Sequence, residues 1–200
     1  MVGERVAQTV DEAVNAAGSL GYPVVLKVES ADLPHKTEAG VVQLNLRDAD
    51  EVRAAYRTIT ARANAMTPPP RIAGVLVQRM MPQGVEMVVG ARVDPLFGPL
   101  VVVGLGGILV ELLKDTALAP APLTHDEALT LLTGLKGARL LDGFRGMPAV
   151  DRDRLASVIC SVAAFASDHR EAVAELDVNP LICTGDSVTA VDALIVPKAH

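Results

Sequence analysis

Polar side chains alternate with apolar ones in a segment near the end of the chain, Glu175-Leu176-Asp177-Val178-Asn179-Pro180. In an extended strand, successive side chains point to opposite faces, so Glu175, Asp177 and Asn179 share one face. A carboxylate and an amide oxygen two residues apart suit Mg²⁺, which takes hard oxygen ligands and leaves positions for phosphates. Asp192 lies in the next predicted strand, and an antiparallel arrangement would bring it beside Asn179. An exposed strand face that ends in an Asn-Pro turn explains the pattern equally well.

Two basic residues in the first third of the chain are candidates for phosphate chemistry. Lys27 interrupts the apolar run 22–28, and a buried lysine must be paired or face a cleft, where it would act as a point charge for phosphate. His35 lies in the polar loop 29–40 and could carry a proton or a phosphoryl group. The ordinary alternatives are a strand-end lysine that reaches solvent and a solvated loop histidine.

A glycine loop, Gly104-Leu105-Gly106-Gly107, follows one predicted strand. Such a loop lets backbone N–H groups approach a phosphate. It matches neither the Walker motif nor the dinucleotide fingerprint, and a tight turn between strands is an equally good interpretation. No serine has a nucleophile-elbow context, and neither Cys160 nor Cys183 has a histidine placed by a motif. Nucleophilic hydrolysis therefore has no support in the sequence.

The elements that would position these residues mix helices and strands without regular alternation. Capping-box spacing at Thr9 and Glu12, and again at Thr124 and Glu127, predicts the starts of two helices. The predicted helices are 9–20, 48–65, 124–132 and 151–168, and the predicted strands are 22–28, 41–46, 73–80, 85–92, 100–103, 174–178 and 188–196. This order favours an α+β class over a doubly wound parallel sheet.

The proline run 66–71 is the clearest linker, because consecutive prolines disfavour both helix and sheet. We therefore predict two lobes, residues 1–72 and residues 73–200. The strands at 73–80 and 85–92, which follow the linker, are expected to form a hairpin-like pair.

Composition excludes several classes of protein. The chain has 18 Lys+Arg against 24 Asp+Glu, a net charge of −6, and only five aromatic residues, which argues against nucleic-acid binding. No apolar run reaches the roughly 20 residues of a membrane span. The first five residues lack the apolar core of a signal peptide, so we expect a cytoplasmic location and no membrane association. Two cysteines cannot form a disulfide framework or a zinc site alone.

The order of the motifs resembles the ATP-grasp (beta) subunit or domain of ADP-forming acyl-CoA synthetases, which are relatives of the succinyl-CoA synthetase beta subunit. The resemblance begins with GYPVVLK at 21–27 and LPHKTEAG at 33–40. The further matching segments are 74–78, 84–90, 94–99, 104–111, 137–146 and 175–181. It spans nearly the whole chain, and several collinear motifs are far more specific than any one of them.

The resemblance implies an ATP-grasp fold in which two α+β lobes enclose a site for ATP or ADP with Mg²⁺. By position, Lys27 would bind nucleotide phosphates and Glu86 would lie near the ribose. The residues implied at the adenine-side hinge are Val77, Gln78 and Met80. Asn179 and Asp192 would be the magnesium ligands, and Asp177 would face a phosphorylated histidine.

The resemblance also implies a partner and a reaction. A CoA-binding alpha subunit or domain would carry a phosphorylatable histidine, and this chain would pass the phosphoryl group to ADP, with His35 as a relay phosphohistidine. The overall reversible reaction would convert acyl-CoA, ADP and phosphate into carboxylic acid, CoA and ATP. We therefore expect a hetero-oligomer and no acyl-CoA synthesis by this chain alone.

Three residues depart from the family pattern. Val41 replaces a second glycine after Gly40, Arg79 follows Gln78 where relatives carry glutamate, and Ala119 stands where relatives carry arginine. A β-branched residue is strained at positive φ, so Val41 would distort the loop if that conformation were required. These departures motivate an alternative function: a catalytically weak ATP-grasp module that binds nucleotide and regulates or scaffolds an acyl-CoA-handling partner, such as an acyltransferase.

Overall fold

The computed structural model describes residues 3–33, 39–107, 114–144 and 146–198. Contacts within the chain divide it into two units, residues 2–81 and residues 82–200. Each unit contains one antiparallel sheet with helices packed on it. In the described part of the chain, no helix is long and apolar enough to cross a membrane.

The first unit is a four-stranded sheet with two helices, and its strand order is β1-β4-β2-β3. The strands are β1 (Glu4–Ala7), β2 (Val24–Glu29), β3 (Val42–Leu46) and β4 (Gly74–Arg79), and the helices are α1 (Val10–Leu20) and α2 (Ala49–Asn64). The Thr9 hydroxyl accepts the N–H of Glu12 at the start of α1, and the Asp48 carboxylate caps α2. The predicted starts of both helices are confirmed, because caps depend on residues close together in sequence.

Alternation along the strands gives the first sheet two different faces. Leu26, Val28 and Val77 are fully buried and pack with α1 and α2 in one core. Their neighbours Lys27 and Gln78 therefore project from the other face. The strands thus place a lysine and an amide on the side away from the helices.

The second unit is a six-stranded antiparallel sheet with the order β10-β8-β5-β6-β7, in which β9 also pairs with β8. The strands are β5 (Val85–Asp94), β6 (Gly98–Leu105), β7 (Thr116–Pro120), β8 (Val173–Cys183), β9 (Val188–Ala190) and β10 (Ala193–Pro197). The helices are α3 (His125–Gly134), α4 (Arg152–Asp168) and a 3₁₀ helix at Ala138–Asp142. The Thr124–Glu127 capping box that opens α3 is present.

One face of the second sheet packs on α3 and α4. Val89 of β5, Val101 of β6 and Leu176 of β8 lie in this core with Leu132 and Ile159 from the helices. Alternate residues of the same strands point away from it. We call that side the open face, and its central row across the ladder is Leu118, Val102, Gly90, Asp177 and Leu194.

Two predictions about the middle of the chain differ from the structure. The hairpin-like pair is wrong, because β4 pairs with β1 and β2 in the first sheet whereas β5 pairs with β6 and β8 in the second. For the same reason, the expected boundary between residues 72 and 73 differs from the observed division after Met81. Strand pairing depends on distant partners, and adjacency in sequence did not reveal them.

Candidate functional site

Lys27 comes from the middle of the first sheet. It is only 9% exposed and lies opposite Leu76 of β4 and Val42 of β3 in the ladder. Its neighbours Leu26 and Val28 are buried against the helices, which directs the lysine stem to the other face. Removing a charged amine from water is costly unless it has a partner, so this position suits a group that interacts with an anion.

The residues expected at the adenine-side hinge follow in β4. Val77 is fully buried in the core, so its side chain faces the helices and only its backbone could contact a ligand. Gln78 is 2% exposed and its side-chain amide donates to the Glu4 carboxylate at 2.9 Å. The backbone N–H of Met80 donates to the carbonyl of Pro23 at 2.9 Å. These contacts fix the segment within the first unit, and its place at an adenine-side hinge remains a prediction.

In the second unit, the glycine loop packs against Glu86 of β5. The N–H of Gly106 donates to the Glu86 carbonyl at 2.6 Å, and a Cβ at Gly106 would lie 2.9 Å from the Glu86 carbonyl carbon. Gly107 has φ +64°, and a Cβ there would lie 3.0 Å from the Glu86 carboxylate. Close approach to Glu86 is thus one reason for these glycines. Glu86 is exposed, and its ribose role remains a prediction.

Asp177, Asn179 and Asp192 come together on the open face, where β8 meets the start of β10. The N–H of Asn179 donates to the carbonyl of Asp192 at 3.2 Å, next to the Val178–Ala193 pair of the β8–β10 ladder. The antiparallel neighbour expected for Asn179 is therefore present. The Asn179 side chain hydrogen-bonds to Asp177, which joins the three polar residues into one cluster.

Burial and charge act together on Asp177. Its pKa is raised above the ordinary value, first by desolvation and then by the negative charge of Glu175, with a further contribution from Asp192. The hydrogen bond from Asn179 opposes this increase. A cation at the cluster would favour the ionised carboxylate, because an opposite charge stabilises the charged form.

The cluster fits a magnesium ion by its donor chemistry. Asn179 uses its amide N–H on Asp177, which leaves the amide oxygen as the atom for a cation. Asp192 supplies a carboxylate, one oxygen of which accepts the N–H of Ala193 at 2.9 Å. Mg²⁺ is commonly held by one or two protein oxygens, with waters and substrate phosphates completing the octahedron. Among the described residues, no group of three or more His, Cys, Asp and Glu side chains forms a metal site, so any ion here would depend on the amide and on such additional ligands.

His35 lies outside the described residues, which resume at Ala39. The described residues before and after this segment are held in the first unit by hydrogen bonds from two arginines. Arg71 donates its backbone and guanidinium N–H groups to Asp32, and Arg62 donates to the carbonyl of Gly40 at 3.0 Å. No local sequence signal marks these pairs, because the partners are 39 and 22 residues apart.

Sequence reasoning also missed the buried carboxylate of Asp115. It is 4% exposed and accepts the backbone N–H groups of Lys136 and Gly137, both at 2.8 Å. On the other side of the same segment, Arg152 donates to Asp142 at 2.7 Å. The segment lines a cavity of about 340 Å³, whose walls are Gly137, Arg139, Leu140, Asp142, Gly143 and Phe144. The family motif at 137–146 indicated this loop, but its anchors needed the tertiary structure.

Two of the three departures from the family pattern are accommodated. Gly40 takes the positive φ of +68°, whereas Val41 has no positive φ and is fully buried in the first core. Ala119 pairs with the buried Val101, so it lies on the helix side of the sheet rather than on the open face with Asp177. Arg79 is exposed at the end of β4. The strain expected at Val41 is therefore absent.

Comparison with protein families gives a match to an ATP-grasp domain over residues 1–196. The Pyrococcus furiosus ADP-forming acetate–CoA ligase I subunit beta is 41% identical over 96% of this chain and 82% of that subunit. Acetate–CoA ligase (ADP-forming) I of Archaeoglobus fulgidus is 43% identical over 88% of this chain. The match covers 25% of that longer protein, so this chain corresponds to about a quarter of it. A more distant similarity, 27%, extends to the succinate–CoA ligase beta subunit of Natronomonas pharaonis, covering 94% of this chain and 48% of that subunit.

Solved structures give the same result. Acetyl-coenzyme A synthetase 1 of Candidatus Korarchaeum cryptofilum, in complex with CoA and Ca-AMPCP, matches with a TM-score of 0.94 and 39% identity, over 99% of this chain and 86% of that one. A second structure of that enzyme holds CoA and Mg-AMPPCP, with its phosphohistidine segment pointing towards the nucleotide-binding site. It matches with a TM-score of 0.83 and 37% identity, over 99% of this chain and 85% of that one.

Proposed function

This chain belongs to the ATP-grasp family and is a homologue of the beta subunits of ADP-forming acetate–CoA ligases, and on that premise we propose that it is the nucleotide-binding half of an ADP-forming acyl-CoA synthetase. Its two units, residues 2–81 and 82–200, are the proposed ATP-grasp lobes. The fold is an ATP-grasp fold that mixes helices and sheets.

The proposed reaction is transfer of a phosphoryl group between a phosphohistidine and ADP. The phosphorus–nitrogen bond of phosphohistidine breaks, a phosphorus–oxygen bond to the terminal phosphate of ADP forms, and the electron pair of the broken bond stays on the ring nitrogen. In phosphoryl transfer, the protein mainly positions the reacting groups and neutralises the charge on the phosphate oxygens. His35 is the proposed relay histidine and the partner's histidine is the proposed donor.

The proposed roles follow from the chemistry of each side chain. Lys27 supplies positive charge to the nucleotide phosphates, and Asp177 accepts the ring N–H of the histidine and so orients it. Asn179 and Asp192 would hold Mg²⁺, which when bound supplies positive charge to the phosphate oxygens. Gln78 and Met80 are proposed for the adenine side and Glu86 for the ribose.

A single observation carries this proposal beyond the family match. Asp177 and Asn179 on β8 hydrogen-bond to each other, and Asn179 hydrogen-bonds to Asp192, which lies just before β10. The cluster combines a half-buried carboxylate with two exposed oxygen ligands, and a nucleotide-bound Mg²⁺ is commonly held by one or two such protein oxygens.

Titration calorimetry with MgADP tests the proposed nucleotide site. Wild-type protein is expected to bind, and Asp192→Ala is expected to weaken binding at least tenfold, about 1.4 kcal/mol. Asp186→Ala is a matched control, because Asp186 is an exposed aspartate in the turn between β8 and β9. Equal affinity of wild type and Asp192→Ala would remove Asp192 from the site, and no MgADP binding by wild type would contradict the function.

The proposed partner is a CoA-binding alpha subunit or domain that carries a phosphorylatable histidine. Homologues of this chain are named as beta subunits or occur within longer single-chain ligases, which supports a partner of that kind. The chain with such a partner is expected to form a hetero-oligomer and to make ATP from acyl-CoA, ADP and phosphate. Acyl-CoA synthesis by the purified chain alone would contradict this division of roles.

A further inference from the structure

The turn between β5 and β6 carries two strongly exposed apolar side chains. Leu96 is 88% exposed and Phe97 is 74% exposed, and they are the two most exposed large apolar side chains in the described part of the chain. We call this pair the apolar tip. Contact with water is unfavourable for such side chains, and an exposed apolar patch is typical of a surface that another protein covers.

The sequence of the turn holds the apolar tip in one conformation. The Asp94 carboxylate accepts the backbone N–H groups of Leu96 and Phe97, at 2.8 and 3.0 Å. Pro95 has a fixed φ, and Gly98 takes φ +75° where the chain turns back into β6. Because the tip is already ordered in the free chain, binding a partner through it costs little conformational entropy.

The apolar surface continues from this turn onto the open face of the second sheet. Leu100 of β6 lies two residues beyond Gly98 and pairs with Pro120 of β7. Leu118, the preceding open-face residue of β7, is 60% exposed. No charged residue occurs in the segment 95–103. The apolar tip is therefore the outer end of a larger uncharged surface.

The position of the apolar tip on the sheet indicates which partner it meets. Along β5 the order is Glu86, proposed for the ribose, then Gly90, which lies opposite Asp177, and then Asp94 at the base of the turn. Asp94 is four residues beyond Gly90, about 14 Å along an extended strand. In-line transfer places the phosphoryl donor beyond the terminal phosphate of ADP, away from the nucleoside. A protein that brings a phosphohistidine to Asp177 therefore approaches from the side on which the apolar tip lies.

We propose that the apolar tip, Leu96 and Phe97, is a docking contact for the CoA-binding partner that carries the phosphorylatable histidine. The inference rests on the proposed function and deepens it, because it assigns part of the partner interface to one turn of this chain. The two side chains insert into an apolar recess of the partner and are buried in the complex. The contact determines where the partner sits and takes no part in phosphoryl transfer.

Reconstitution of the complex tests the docking contact. The partner used is the CoA-binding protein that, mixed with this full chain, forms ATP from an acyl-CoA, ADP and phosphate. Analytical ultracentrifugation measures the dissociation constant of the complex. Phe97→Ala is expected to weaken the complex roughly tenfold, and Leu96→Ser combined with Phe97→Ser roughly a hundredfold, because buried aromatic and aliphatic anchors dominate interface energetics. At saturating partner concentration, the rate of ATP formation should stay within twofold of wild type.

Leu44→Ser is the matched control, because Leu44 is a leucine of β3 that is 59% exposed. Its complex should have the dissociation constant of wild type. Equal affinity of wild type and the double variant overturns the proposal, and so does an equal loss of affinity in Leu44→Ser. If the wild-type chain alone forms dimers and the double variant is monomeric, the tip serves a second copy of this chain and the proposal is wrong.

Calorimetry with MgADP separates this inference from the proposed function. The double variant should bind MgADP within twofold of wild type, because the tip lies outside the proposed nucleotide site. A complex that forms ATP and tolerates both substitutions would reject the docking contact and keep the function. Failure of wild type to bind MgADP would reject the proposed function, whatever the tip variants do.

Discussion

At the scale of single residues, local environment decides what each polar group can do. Lys27 is buried on the face of the first sheet that points away from the helices. Asp177 is partly buried and lies beside the carboxylates of Glu175 and Asp192. Local backbone conformation also explains why Val41 is not strained. The glycine before it adopts the left-handed conformation, so the β-branched residue is free to pack in the core.

The Lys27→Met variant is predicted to bind MgADP at least tenfold more weakly than wild type. Methionine keeps an unbranched apolar side chain at a buried position but removes the charge proposed for the phosphates. Calorimetry measures the affinity, and thermal melting checks that the fold is retained. Lys198→Met, outside the proposed site, should bind as wild type does, and a similar loss in both variants would count against a specific role for Lys27.

At the scale of elements, anchors far apart in sequence hold the loop that lines the cavity of the second unit. Asp115 accepts two backbone N–H groups before the 3₁₀ helix, and Arg152 at the start of α4 holds Asp142 at the end of that helix. Asp115 satisfies two backbone N–H groups that precede the 3₁₀ helix, and Arg152 joins the end of that helix to the start of α4.

Asp115→Asn is predicted to lower the free energy of unfolding by roughly 2–3 kcal/mol. The amide can present one oxygen to the N–H groups of Lys136 and Gly137 but brings its own N–H₂ towards the other, and hydrogen bonds to a buried charge are the stronger kind. Urea denaturation measures the change. The exposed Asp186→Asn should differ from wild type by less than about 0.5 kcal/mol, and an equally small effect in Asp115→Asn would show that the anchor is dispensable.

At the scale of the whole molecule, the chain has two cores and two sheets, one of each in either unit. Lys27 and the hinge residues belong to the first unit, and the carboxylate–amide cluster belongs to the second. A ligand that binds the native protein and not the unfolded chain stabilises it by mass action.

MgADP at 100 times its dissociation constant is therefore predicted to stabilise the protein by about 2.7 kcal/mol. For a protein of this size, that corresponds to an increase in Tm of roughly 5–10 °C. Scanning fluorimetry with MgADP, and with magnesium chloride alone as the control, measures the shift. An unchanged Tm at a saturating nucleotide concentration would argue against the nucleotide function.

The sequence by itself determined the features that depend on near neighbours. The caps at Thr9, Asp48 and Thr124 begin helices in the structure, because a cap joins a side chain to a backbone group two or three residues away. The alternation at 175–179 correctly placed Asp177 and Asn179 on one strand face for the same local reason. Collinear motifs were enough to identify the family.

Only the tertiary structure decided the features that depend on distant partners. It assigned β4 and β5 to different sheets and turned Ala119 to the helix side. Each of these outcomes is set by strand pairing and burial between segments that are remote in sequence. Local propensity carries no information about such pairing, because its free energy comes from contacts that form only when the chain is folded.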